Sequence, residues 1–157
     1  MKKIILATAL ILPIGIFIFL KKFGKNEFSI PVYFEKGVED APRWCKKNYD
    51  TPYLVSDSLL KHFGWNKKVV MLMIDSSSVS PGLKRLKEEF NGEVQLIFPT
   101  GETNFIDQVY ACDLLLQKPW TAVVIDDQRR IRGYYDPKTR EEVDRLIVEL
   151  NILLKKY

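Results

Sequence analysis

Cysteine and histidine are almost missing from this chain. Its 157 residues hold two cysteines, Cys45 and Cys112, and one histidine, His62. Two cysteines are too few for a disulfide scaffold, and a lone histidine with no cysteine pair beside it is weak evidence for a metal site. A serine hydrolase needs a base and an oriented third group, and no G-x-S-x-G elbow accompanies the serines. There is also no basic stripe with interleaved aromatics, so nucleic acid is not an expected partner. The formal net charge of +4 hints otherwise only until it is located. Five basic residues, Lys2, Lys3, Lys21, Lys22 and Lys25, precede residue 26, and no acidic residue does. Beyond them, 19 basic residues face 20 acidic ones, a balance of −1.

Those five lysines flank the longest apolar run, "IILATALILPIGIFIFL", the 17 uncharged residues from Ile4 to Leu20. As a helix it spans about 25 Å, slightly less than a bilayer core of about 30 Å. Lys21 and Lys22 can snorkel to close the gap. A cleaved signal peptide would end on small residues, whereas this run is followed by "KKFGKNEF", with no A-x-A pattern and no lipobox cysteine. The expectation is an uncleaved single-pass membrane anchor over residues 1–25 and one domain over 26–157. Lysines on both sides leave its orientation open.

The domain begins irregularly. "FSIPVYFE" (Phe28 to Glu35) alternates as an edge strand does, with Pro31 excluding a central position. A loop follows, then a short strand at Tyr53–Val55 and a helical turn. "KVVMLMI" is a continuous apolar run, as in a strand covered on both faces. "SPGLKRLKEEFNG" predicts a helix with Ser80 as cap, Pro81 in its first turn and Gly92 past its end. "EVQLIFP" is a second core strand, and "TNFIDQVYACDLLL" a helix with Phe105, Val109 and Cys112 or Leu116 on one stripe. "TAVVID" and "IRGYYD" make a hairpin around "DQRR". In the last helix Thr139 and Glu142 have capping-box spacing, and Val143, Leu146, Ile147, Leu150, Leu153 and Leu154 form an apolar face. The order β-α-β-α-β-β-α predicts an α/β, thioredoxin-like fold: a central mixed sheet with helices on both faces. Its reactive position is the turn after the first core strand. Here that turn carries Ser76, Ser77, Ser78 and Ser80.

The segment "RIRGYYDPKTREEVDRLIVELNILLKK" resembles the C-terminal end of the SCO/SenC proteins, membrane-anchored thioredoxin-fold copper chaperones of cytochrome oxidase assembly. The apolar start and "IPVYFE" resemble bacterial members. The family binds metal through two cysteines at the strand-to-helix turn and a histidine before the third core strand. The resemblance places those cysteines on Ser76 and Ser80, the motif's second proline on Pro81, and the histidine near Lys118 and Pro119. All three ligands are replaced. Copper(I) prefers thiolate and imidazole to a hydroxyl, and serine cannot enter thiol exchange. No copper or other cofactor is therefore expected, and no catalytic residue is assigned.

The remaining candidates have plain readings beside functional ones. His62 suits a surface packing role. Cys112 faces the core from its helix. Cys45, beside Arg43, Lys46 and Lys47, could be a reactive loop thiol. Pro119 stands where thioredoxins place a cis-proline. Asp75 is a solvated carboxylate or a relic of the old site. Trp44, Trp65 and Trp120 are core lids or a binding surface. Nothing in the pattern brings Cys45 to Cys112, so no disulfide is expected. Alpha carbons within about 7 Å would reverse that and put a thiol-active protein using this pair above the lost-site reading. The leading expectation is a non-catalytic accessory or interaction domain. The resemblance implies a single-pass inner-membrane protein, with its domain on the periplasmic, extracytoplasmic side and a membrane complex such as cytochrome oxidase as partner. A membrane-tethered domain unrelated to copper is the third reading.

Overall fold

The computed structural model describes residues 2–23, 29–74 and 81–155. Helix α1 (Lys2–Phe23) comes first. It is followed by α2 (Asp57–His62), β1 (Val69–Met73), α3 (Pro81–Phe90), β2 (Val94–Ile97), α4 (Thr103–Gln108), β3 (Ala122–Asp126), β4 (Ile131–Tyr135) and α5 (Arg140–Leu153). The four strands make one mixed sheet in the order β2-β1-β3-β4. β1 and β2 are parallel, while β3 is antiparallel to both β1 and β4. The chain is thus an α/β protein, and this topology is compatible with the thioredoxin-like expectation.

Every residue of β1 and of β3 is buried, because helices lie on both faces of the sheet. Alternate side chains of β1 enter different cores. Val69, Met71 and Met73 pack with Leu83, Leu86 and Phe90 of α3 and with Val143, Leu146 and Leu150 of α5. Val70 and Leu72 pack on the other face with Leu60 of α2, with Val109, Tyr110 and Leu114, and with Tyr53 and Val55 of the early segment. α3 ends as expected, with Asn91 and Gly92 at φ of 38° and 81°; glycine alone takes that conformation without a Cβ penalty. At the start of α5, Thr139 Oγ1 accepts a hydrogen bond from the Glu142 amide at 3.3 Å. Thr139→Ala is expected to cost about 1 kcal/mol, read as a lower denaturant midpoint.

The β3–β4 hairpin contains a bulge. Val124 pairs with Gly133 and Ile125 with Ile131, which leaves Arg132 as the extra residue. Beyond it, Gly133 permits a close approach. A Cβ there would lie 2.3 Å from the Tyr135 hydroxyl oxygen and 2.7 Å from its ring, and Tyr135 is fully buried. Gly133→Ala is expected to destabilise by about 1–3 kcal/mol through overpacking, measurable as a fall in Tm.

Three expectations need correction. The strand over Phe28–Glu35 does not form among its described residues; Ser29–Val32 is irregular and turns follow. Pro31 has no amide to donate, Phe34 turns the chain at a φ of 58°, and the segment is tied to β4 by one backbone bond, Tyr33 N–H to Ile131 O at 2.9 Å, and by the Arg132 side chain donating to Ile30 O. Tyr53–Val55 is not a strand either, because its amides bond to two separate places, Phe34 O and Arg129 O. The second core helix is shorter than its apolar stripe. α4 runs directly into a π-helical turn, Val109–Asp113, and Phe105 is 41% exposed. The wider turn changes the helical phase, so Val109, Tyr110 and Cys112 face inward.

The described side chains of α1 from Ile11 to Phe19 are all exposed. Among the described residues, no helix is long and apolar enough to cross a membrane, so the anchor expected over Ile4–Leu20 gains no support from them.

Candidate functional site

The C-terminal end of β1 is where the resemblance puts that family's reactive site. Ser76 and Ser80, with Asp75, lie outside the described residues. The Ile74 amide donates to Thr121 O at 2.9 Å, which sets the segment leading into β3 beside the end of β1. The Lys118–Pro119 bond in that segment is cis, as expected at this position, and both residues are exposed. Tyr110 donates its hydroxyl proton to Met73 O at 2.8 Å, and burial pushes that phenol up to about 12. Pro81 opens α3. Among the described residues, no cluster of histidine, cysteine and carboxylate side chains could hold a metal ion.

The two cysteines are brought together, contrary to expectation. Cys45 and Cys112 form a disulfide with alpha carbons 5.5 Å apart. Cys112 is 2% exposed, as its inward phase implied. Cys45 is half-buried and is not the free loop thiol anticipated above. The physical reason is that the early segment folds back across the π turn and is bonded to it at several points. Tyr49 donates to Cys112 O at 3.0 Å, and Tyr53 donates to Asp113 O at 2.6 Å. Lys47 forms an ion pair with Asp113, and its Nζ lies 5.4 Å from the centre of the Tyr53 ring. Burial, reinforced by the Asp113 charge, raises the Tyr53 pKa far above that of a free phenol. Tyr49 is raised by burial too, with Lys47 acting against the shift. These phenols stay protonated and donate. With both sulfurs bridged, an assay for free thiols on the folded, unreduced chain is expected to read zero. One or two reactive thiols per chain would contradict the bridge.

The other candidates take their plainer roles. His62 is exposed and packs against the rings of Phe63 and Phe105, with centroids 5.3 and 5.7 Å away. Trp65 and Trp120 are half-buried lids on the core, while Trp44 is 57% exposed.

The sequence marks one further cluster only as a strand end and a turn. Asp126 is 4% exposed. Its carboxylate accepts from Arg130 Nε at 2.8 Å and Arg132 Nη1 at 2.9 Å, and from the amides of Gln128 and Arg130. Burial alone would raise its pKa, but the Arg130 and Arg132 bonds together outweigh it and hold the group below its ordinary value. The bulge at Arg132 aims that side chain at Asp126, and a bulge leaves no period in the sequence.

Comparison with protein families, curated proteins and solved structures finds no match for this chain.

Proposed function

We propose that this chain is a disulfide-stapled, thioredoxin-like accessory domain of SCO/SenC type. On this reading its copper and thiol site has been lost, and α1 anchors it to the inner membrane with the domain on the extracytoplasmic side. The observation that carries it is the Cys45–Cys112 bridge. Both thiols of the chain are used there, one of them buried, so neither serves in place of Ser76 and Ser80. The β2-β1-β3-β4 order and the cis bond before Pro119 support the fold assignment. A disulfide suits an oxidising compartment, in keeping with an extracytoplasmic domain. The exposed apolar residues of α1, from Ile11 to Phe19, suit burial in lipid, and the lysines at its two ends suit the interfaces. A role near oxidase assembly rests on the resemblance alone.

The test is a copper(I) titration of the oxidised full chain against a competing chelator. Affinity far below that of a two-cysteine, one-histidine site is expected. Stoichiometric tight binding would overturn the lost-site reading.

The bridge also meets the condition set for a second reading, thiol–disulfide exchange at Cys45–Cys112, which we place second because Cys112 is buried. An attacking thiolate needs access to a sulfur and a good leaving group, and Cys112 would leave into a buried setting. Reduction of the native chain by glutathione is therefore expected to be slow and to follow unfolding. Complete reduction within minutes, with the fold intact, would place this second reading first.

A further inference from the structure

A cleft of about 470 Å³ opens at the end of the sheet opposite Ile74. β1 and β4 run in the same direction, since each is antiparallel to β3. Lys68 precedes β1 and Arg130 precedes β4, so both stand at the strand starts, away from Ile74 and Pro119. The cleft is lined by four basic side chains, Lys68, Arg130, Arg132 and Lys155, against two carboxylates, Asp126 and Asp127. Asp126 is held between two guanidinium groups, so the local balance stays positive. Lys68 and Lys155 are exposed. Leu153 and Leu154 add an apolar rim, and Ser29 and Ile30 complete the wall.

That last pair fixes where the cleft must be. Six residue steps separate Ser29 from Phe23, the last residue of α1. Fully extended, they reach about 20 Å. If α1 sits in a bilayer, the cleft cannot be further than that from the helix end, and it opens beside the lipid headgroups. Basic side chains with an apolar rim are what an anionic membrane surface attracts. We propose that this end of the domain faces the membrane and that the cleft seats the phosphate of an anionic phospholipid headgroup. Ile74 and Pro119 are then presented away from the bilayer. This inference rests on reading α1 as an anchor.

The test places the full chain in lipid nanodiscs of phosphatidylcholine, with or without phosphatidylglycerol, and follows lysine acylation by mass spectrometry. Lys68 and Lys155 are expected to react several-fold more slowly in the anionic discs, and Lys138, beyond the other end of β4, equally in both. Equal rates at Lys68 and Lys155, with the chain held in both discs, would overturn the headgroup site and leave the anchor standing. A chain that fails to enter neutral discs would overturn the anchor. In that case, salt-sensitive protection of the two lysines by phosphatidylglycerol vesicles would still support the cleft, and its absence would overturn that too. Equal protection by glycerol phosphate in neutral discs would assign the cleft to a soluble anion and overturn the lipid.

Discussion

Replacing Cys45 and Cys112 together with alanine is expected to lower the stability of the domain by about 4 kcal/mol at 25 °C. The bridge joins residues 67 positions apart. Untying a loop of that length returns about 15 cal/mol/K of entropy to the unfolded chain. Small domains are stable by only about 5–15 kcal/mol, so this is a large share. The Tyr49, Lys47 and Tyr53 contacts with the π turn remain in the variant and keep the early segment near its place. Denaturant midpoints with and without reductant decide the matter. The oxidised chain should unfold at clearly higher denaturant than the reduced one, and the double variant should match the reduced chain in both conditions. Identical midpoints for all samples would mean that the bridge contributes nothing.

Asp126→Asn is expected to destabilise by about 3–5 kcal/mol, the range for breaking a buried ion pair from one side. The amide keeps the shape but not the charge, and Arg132, whose side chain is 10% exposed, is left buried without its counter-ion. The same substitution changes the acid limb of the stability curve. In the folded chain Asp126 keeps its charge below its ordinary pKa of 3.8, so the unfolded state binds its proton first as pH falls. Its contribution is therefore complete above that value and is lost as pH drops through the lower, folded-state value. Stability measured from pH 6 to pH 2 should fall more steeply in the parent than in Asp126→Asn. Parallel curves would show that the carboxylate titrates alike in both states.

The core of the fold was legible because its signals are local. "KVVMLMI" and "TAVVID" are apolar without interruption, as strands covered on both faces must be, and Thr139 with Glu142 marked the start of α5 at the right residue. The early segment was not legible, since its aromatic alternation satisfies a strand pattern while Pro31 and the turn at Phe34 prevent a ladder. The disulfide depends on a loop crossing a helix more than 60 positions later, and no periodicity records that. Lys47, Tyr49 and Tyr53 were the available signal: three side chains with polar tips in an otherwise irregular stretch, which find Cys112 and Asp113. That residues 76 and 80 are serines is legible from residue identity alone. The buried carboxylate was hidden because "DDQRR" reads equally well as an exposed hairpin tip.

The Cys45–Cys112 bond makes a covalent ring of the chain between those residues. The ring contains α2, β1, α3, β2 and α4, while β3, β4 and α5 hang from it as a tail. A single peptide-bond cut inside the ring opens it without dividing the molecule. A cut in the tail releases a piece. On a denaturing gel without reductant, a chain nicked anywhere between Cys45 and Cys112 should therefore run as one species and separate into two fragments only when the bridge is reduced.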